Sequence, residues 1–208
     1  MDINEKLKFI DKFARSLTEY ETCENERYIH HLFSHRIQAE CQEIEISKLD
    51  GDSSQLHPEW ATAKVARDGK DVGKKAFYNK KEPVLKGNNS AAGHIDFAIG
   101  GYESPKIAIE FKVMNGINDT ELKELQFDFL KLLDGRSPFD YGYSIVFVVK
   151  DVEETVLLEK AKEALNDAKN QLEPLGWDSS NQRQFTSYLI FKPIGKKQRE
   201  VATIPEDK

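Results

Sequence analysis

Two short segments in the middle of the chain constrain the fold more than any other feature. Apolar residues alternate with others along residues 94–99 and again along residues 106–113. Successive side chains of a β-strand point to opposite faces of a sheet, so this alternation predicts two strands. Gly100 and Gly101 follow the first segment, and such a short connection predicts an antiparallel hairpin.

Helical and strand-like patterns alternate around this hairpin. Apolar residues spaced three and four apart predict amphipathic helices within residues 1–46, 118–134 and 152–172. A nearly continuous apolar run at residues 143–149 predicts a strand covered on both faces, and residues 185–191 predict a last strand. This order of elements predicts the α/β (α+β) class, with a central mixed β-sheet flanked by helices.

The length of 208 residues suits a single domain over residues 1–208. We expect residues 1–23 to form an N-terminal helical extension, residues 24–192 the core, and residues 193–208 a flexible tail. Residues 47–60 are rich in Ser, Asp and Gly and contain a Pro, which is typical of a loop.

Composition excludes several classes of protein. No apolar run approaches the roughly 20 residues that span a bilayer, and the charged N-terminus has no signal-peptide core. Cys23 and Cys41 are too few for a disulfide scaffold and have no CxxC partners that would indicate zinc. We therefore expect a cytoplasmic protein without a membrane partner.

The charge is unevenly distributed along the chain. The formal net charge of −6 argues, taken alone, against nucleic acid as a ligand. Residues 64–86, however, carry a net charge of +5, whereas the rest of the chain carries −11. A local basic segment can follow a phosphate backbone. A solvated loop is the alternative interpretation of the same segment, and both stay open.

Charged side chains interrupt both strands of the predicted hairpin. Glu110 and Lys112 alternate with apolar residues on the second strand, and Asp96 has a similar place on the first. Burying an unpaired charge is costly, so these groups should be paired or functional. Strand pairing would bring Asp96 close to Glu110 and Lys112. Two carboxylates attract a hard divalent cation, and a neighbouring lysine can orient water or neutralise charge on phosphorus.

At these residues the chain resembles the PD-(D/E)XK nuclease superfamily, whose members share the restriction-endonuclease-like fold. The matching residues are Gly93-His94-Ile95-Asp96 and, with Glu110 fourteen residues after Asp96, Glu110-Phe111-Lys112. The resemblance covers residues 24–149, in which a helix, the hairpin, a second helix and an apolar strand follow in the same order. The chain departs from the motif at Ile95, where a proline is expected.

The resemblance implies hydrolysis of phosphodiester bonds with Mg²⁺ or Mn²⁺ as cofactor. It implies that Asp96 and Glu110 are catalytic metal ligands, that Lys112 is the catalytic lysine, and that the Phe111 backbone carbonyl is a further ligand. Many members add a carboxylate from the first core helix, and Glu26 fits that position best.

Further residues are candidates for supporting roles. Gln126 and Asp128, on the helix after the hairpin, are expected to project toward the site, with Gln126 behind the ligands. Glu59 could reach the site from the region before the hairpin. The residues expected to bind nucleic acid are Lys74, Lys75, Lys80 and Lys81. Three histidines are assigned surface or packing roles because no HExxH motif or cysteine accompanies them: His30, His31 and His35.

These observations support three hypotheses of function. The leading hypothesis is a divalent-metal-dependent nuclease that acts on DNA or RNA, with DNA the favoured partner. The alternative is a catalytically inactive nuclease-fold module that binds nucleic acid or a partner protein. The third is an acidic interaction protein. A homodimer would suit cleavage of two strands, although no sequence feature establishes one.

Overall fold

The computed structural model describes residues 3–21, 23, 25–41, 45–46, 55–66, 90–101, 105–176 and 183–205. Over these residues the chain forms four α-helices and one seven-stranded sheet. The helices are α1 (Ile3–Ser16), α2 (Glu26–Glu40), α3 (Asp119–Leu133) and α4 (Glu154–Leu172). The strands are β1 (Glu45–Ile46), β2 (Gln55–Ala66), β3 (Ser90–Gly100), β4 (Pro105–Met114), β5 (Tyr141–Val152), β6 (Gln184–Pro193) and β7 (Glu200–Pro205).

The strands lie in the sheet in the order in which they occur along the chain. The pairs β1–β2, β4–β5 and β5–β6 are parallel, and the pairs β2–β3, β3–β4 and β6–β7 are antiparallel. The sheet is therefore mixed, as predicted, and the predicted hairpin is β3–β4. Helices α3 and α4 connect the central parallel strands, because parallel neighbours need a long crossover connection.

The two faces of the sheet carry separate hydrophobic cores. On one face the apolar sides of α1 and α2 pack against the sheet in what we call the α1/α2 core. On the other face α3 and α4 form the α3/α4 core. Strand β4 serves both, since Ile109 and Phe111 enter the α1/α2 core while Ala108 and Met114 enter the α3/α4 core. This layered arrangement confirms the α+β class and is compatible with a single domain.

Asparagine side chains begin the two helices that flank the hairpin. The Asn25 side chain accepts a hydrogen bond from the Arg27 N–H at the start of α2. The Asn118 side chain accepts from the Thr120 and Glu121 N–H groups at the start of α3. Such caps satisfy N–H groups that the first helical turn leaves without partners. They fix where α2 and α3 begin.

The loop predicted at residues 47–60 was wrong in its last part, because β2 begins at Gln55. Leu56 is buried and pairs with Ile99 on β3. Pairing with β3 and burial of Leu56 thus outweigh the turn-forming character of the sequence around Pro58. Glu59 lies in this strand with a φ of 53°, and its side chain is exposed.

The flexible tail predicted at residues 193–208 was wrong for residues 200–205, which form β7. Strand β7 pairs antiparallel with β6, from Phe191 opposite Glu200 to Thr186 opposite Pro205. Three of the six residues of β7 are apolar, but so short a run gives little periodic signal. Ile204 is buried in the α3/α4 core, and the backbone groups of β7 complete the ladder at this edge of the sheet.

Arg199, the residue before β7, anchors this strand to the rest of the fold. Its guanidinium donates hydrogen bonds to the carbonyls of Val148 at 2.6 Å, Val149 at 3.1 Å and Glu21 at 2.9 Å. It also lies 4.2 Å from the centre of the Phe147 ring. The rigid fork of donors on arginine suits several acceptors held in fixed positions.

No helix in the described part of the chain combines the length and the apolar character needed to span a bilayer.

We expect Arg199→Met to lower the free energy of unfolding by about 2–4 kcal/mol, because buried carbonyls lose charged donors. Urea denaturation followed by circular dichroism measures this difference. Lys197→Met changes an exposed neighbour and should shift the free energy of unfolding by no more than about 0.5 kcal/mol. Equal values for the two variants would contradict the anchoring role of Arg199.

Candidate functional site

The site begins where the two strands of the hairpin stop pairing. Registered pairs between β3 and β4 extend from Gly100 opposite Pro105 to Phe97 opposite Ile109. Beyond them, the carboxylate of Asp96 takes the place of a backbone partner, and its Oδ2 accepts a hydrogen bond of 2.7 Å from the Phe111 N–H. A buried N–H group needs an acceptor, so this bond holds the Asp96 side chain against β4.

Helix α2 presents a histidine to the same carboxylate. His30 Nε2 lies 3.3 Å from Asp96 Oδ2. The imidazole ring packs against the rings of Phe97 and Phe111, with centroid distances of 5.5 and 5.4 Å. These contacts orient the ring toward Asp96. The contact with Asp96 contributes to raising the pKa of His30, although burial of the ring opposes it.

Glu26 lies one helical turn before His30, on the same side of α2. One ligand atom each from Glu26, His30 and Asp96 lies within 4.8 Å of the other two, and we call these three residues the Glu–His–Asp cluster. Glu26 Oε2 also accepts a hydrogen bond of 3.3 Å from the Val113 N–H of β4. Burial and the Asp96 charge raise the pKa of Glu26, against the opposing effect of Lys112.

Lys112 connects the cluster to α3. Its ammonium group forms a short ion pair with Glu124 and lies 3.9 Å from Glu26 Oε2. Burial disfavours the charged form of Lys112, but the Glu124 and Asp128 carboxylates outweigh it and raise the pKa of the amine. Lys112 is therefore a permanent cation at neutral pH, placed between two acidic side chains.

Glu110 points into a different environment. Its side chain is 3% exposed, and Oε1 lies 2.5 Å from the ammonium group of Lys131 on α3. The same ammonium group lies 3.0 Å from Asp128 Oδ1 and donates to the His94 carbonyl at 3.0 Å. Burial raises the pKa of Glu110 well above its usual range, and the negative charge of Asp96 adds to this effect. Two carboxylates thus share one buried cation.

The structure therefore brings together only some of the predicted site residues. Asp96 and Glu26 lie together in the Glu–His–Asp cluster, and Lys112 lies beside Glu26. The negative charge of Asp96 is close enough to raise the pKa of Glu110, but the Glu110 carboxylate forms its ion pair with Lys131. The main chain of Phe111 is fixed by the bond to Asp96.

The supporting residues are placed differently from one another. Asp128 contacts Lys131, the same lysine that contacts Glu110. Gln126 instead lines a pocket between α3 and α4, together with Lys160 and Glu163 of α4. The four candidate nucleic-acid-binding residues lie outside the described residues: Lys74, Lys75, Lys80 and Lys81.

Sequence reasoning gave His30 a surface or packing role and did not name Glu124 or Lys131. A spacing of four residues places His30 beside Glu26 on α2, which is a signal that the sequence does contain. Glu124 and Lys131 share a face of α3 with Asp128, at spacings of four and three residues. The rotation of that face toward β4 depends on packing in the α3/α4 core, which local patterns do not reveal.

No protein-family model, curated protein or solved structure matches this chain.

We expect Lys131→Met to lower the free energy of unfolding by about 3–5 kcal/mol at neutral pH, because it leaves Glu110 and Asp128 buried without their cation. In the folded protein the Lys131 cation lowers the pKa of Glu110, so its removal raises that pKa further and the folded variant binds a proton on Glu110 more tightly than the unmodified protein does. The loss relative to the unmodified protein should therefore shrink as the pH falls from about 7 to about 5.

Urea denaturation at both pH values measures this change. Lys123→Met, at an exposed position on the same helix, is the control and should shift the free energy of unfolding by no more than about 0.5 kcal/mol. A loss for Lys131→Met that is independent of pH would show that Glu110 does not depend on this cation.

Proposed function

We propose that the protein is a divalent-metal-dependent nuclease that hydrolyses phosphodiester bonds of DNA, or of RNA. The observation that carries the proposal is the position of Lys112. Its ammonium group lies 3.9 Å from a carboxylate oxygen of the Glu–His–Asp cluster, on the strand that also carries Glu110. A fixed cation beside a group of metal-binding side chains is suited to a phosphate substrate.

The residues present fit a divalent cation. Glu26 and Asp96 supply carboxylate oxygens, the donor type that Mg²⁺ and Mn²⁺ prefer. Both described contacts of Asp96 use Oδ2, so Oδ1 offers a further donor atom. When bound, such a cation lowers the pKa of a coordinated water and stabilises negative charge on the phosphoryl oxygens. Glu110 and the Phe111 carbonyl remain our further candidate ligands.

The role of Lys112 follows from its charge. Because neighbouring carboxylates raise its pKa, the side chain holds its proton at neutral pH. Its role is therefore to stabilise negative charge on the phosphate as a cation. A protonated lysine does not act as the base that removes a proton from water. Its ion pairs with Glu124 and Glu26 position the ammonium group before substrate arrives.

The order of elements around the site supports the restriction-endonuclease-like interpretation. Helix α2 precedes the β3–β4 hairpin, with β1 and β2 between them, and α3 and β5 follow the hairpin in the order that the resemblance implies. Asp96, Glu110 and Lys112 lie on the two hairpin strands. Cys23 and Cys41 are buried free thiols, which suits the reducing cytoplasm in which we place the protein.

One observation favours the alternative function, an inactive nuclease-fold module that binds nucleic acid or a partner protein. Glu110, a candidate catalytic ligand, is paired with the buried Lys131. A module that only binds would keep the fold and this ion pair and would need no metal. Nuclease assays and binding assays on the same preparation separate the two functions.

We expect Lys112→Ala to lower the rate of DNA cleavage in Mg²⁺ or Mn²⁺ by about 10²–10⁴-fold, because the phosphate loses its fixed cation. Cleavage of supercoiled, linear and single-stranded DNA and of RNA, followed on gels, measures the effect. Lys106→Ala removes a lysine from the exposed end of the same strand and should keep full activity. If none of these substrates is cleaved in the presence of Mg²⁺ or Mn²⁺, the proposed function is overturned.

The basic segment generates a separate prediction about binding. Each lysine that contacts phosphate contributes about one unit to the slope of log K against log salt concentration. Replacing the four candidate lysines with alanine should therefore weaken DNA binding and reduce the slope by up to about four units. The residues replaced are Lys74, Lys75, Lys80 and Lys81.

Fluorescence anisotropy at several salt concentrations measures this slope, in a Lys112→Ala background in which cleavage is expected to be slow. The matched control replaces four exposed lysines of the described fold: Lys160, Lys162, Lys196 and Lys197. An equal loss of affinity in both sets would mean that only net charge matters. No loss in the first set would assign the segment to a solvated loop.

A further inference from the structure

The imidazole ring of His30 is fixed by packing on two aromatic rings and by a contact with a carboxylate. Its ring lies between α2 and the sheet, against Phe97 and Phe111, and its side chain is 20% exposed. Nε2 itself is buried and faces Asp96 Oδ2 at 3.3 Å. By contrast, His31 and His35 on the same helix are exposed. The nitrogen of His30 therefore has a fixed direction toward the carboxylates of the cluster.

Because Glu110 is paired with Lys131, the His30 nitrogen is the donor that lies close to the carboxylates of Glu26 and Asp96. The Glu110 carboxylate, which the motif would contribute to a metal, lies 2.5 Å from Lys131. The donors that do approach one another closely are one oxygen of Glu26, one oxygen of Asp96 and the His30 nitrogen, all within 4.8 Å. The third donor beside the two carboxylates is thus an imidazole.

We infer that His30 is a nitrogen ligand of the metal site and that the site binds a first-row divalent transition cation, with Mn²⁺ as the probe, more tightly than Mg²⁺. This inference rests on the proposed function, because it takes the Glu–His–Asp cluster to be the metal site of that function. What it adds is the metal that the site prefers. Glu26 and Asp96 are the two protein ligands that lie close to this nitrogen.

The chemistry of the donors carries the selectivity. Mg²⁺ prefers oxygen ligands in octahedral geometry and loses its water reluctantly. Imidazole nitrogen suits transition cations, and carboxylate oxygen also suits Mn²⁺. A set of two carboxylates and one imidazole therefore favours Mn²⁺ over Mg²⁺. The aromatic contacts of His30 add to the affinity, since an oriented ring loses little freedom when it binds.

The first test uses the unmodified protein loaded with Mn²⁺. Electron spin-echo envelope modulation of the bound ion should show coupling to an imidazole nitrogen. Titration followed by electron paramagnetic resonance gives the Mn²⁺ affinity, and competition with Mg²⁺ gives the ratio of the two affinities. A bound Mn²⁺ without nitrogen coupling, or equal affinity for the two ions, would overturn the inference.

The second test compares variants. His30→Ala should lower Mn²⁺ affinity by about 10- to 100-fold, with a smaller effect on Mg²⁺. His30→Phe removes the nitrogens and keeps an aromatic ring against Phe97 and Phe111, so it should show the same loss with the packing preserved. His31→Ala, at an exposed position on the same helix, should keep the Mn²⁺ affinity. Unchanged affinity in both His30 variants would contradict the assignment.

These measurements are separable from the test of nuclease activity. If Mn²⁺ binds with nitrogen coupling but no substrate is cleaved, the metal site stands and the nuclease proposal fails. If substrate is cleaved with Mg²⁺ while His30→Phe leaves both metal affinities unchanged, the nuclease proposal stands and His30 is a packing residue.

Discussion

The hydrogen bond between the Phe111 N–H and the Asp96 carboxylate is the contact on which the site depends. It lies just beyond the last registered pair between β3 and β4, where a backbone donor of a central strand needs a new acceptor. By accepting this hydrogen bond, the Asp96 carboxylate gives the Phe111 N–H its partner, and the side chain is fixed beside α2. The positions of His30 and Glu26 then follow from the helix, because they lie one turn apart and face the same point.

The charges around this contact form two groups that follow the same rule. Lys112 is shared by Glu26 and Glu124, and Lys131 is shared by Glu110 and Asp128. In each group two carboxylates face one lysine, and Asp96 adds a further negative charge between them. The raised pKa of Glu110 and of Glu26 reflects burial together with this excess. A divalent cation in the Glu–His–Asp cluster would offset part of it.

Local patterns predicted the elements that bury a regular apolar face. The hairpin, α3 and β5 have such patterns, and the structure confirms them. Strand β7 has none, since its place depends on pairing with β6 and on the contacts of Arg199 with residues about 50 and 180 positions away in sequence. A short segment of sequence does not predict pairing that depends on contacts between residues so far apart in the chain.

The same distinction applies to the site residues. The motif identified Asp96, Glu110 and Lys112 because they interrupt apolar strands. It could not assign their ionic side-chain partners, because each of these is on a helix whose rotation depends on core packing. A helix turns by about 100° per residue, so Asp128 reaches the site while Gln126, two positions earlier, faces α4. The resemblance suggested two candidates on α3, and the structure places one of them, Asp128, beside Lys131 and the other, Gln126, in the pocket between α3 and α4.

The position of Glu110 bears directly on the choice between an enzyme and a binding module. Separating a buried carboxylate from its cation is costly, unless each charge finds another partner. Lys131 has such partners, since it also contacts Asp128 and the His94 carbonyl. Glu110 would gain one if a cation occupied the cluster beside Asp96. The ion pair is therefore compatible with an enzyme in which Glu26, His30 and Asp96 would hold the metal while Glu110 keeps its contact with Lys131.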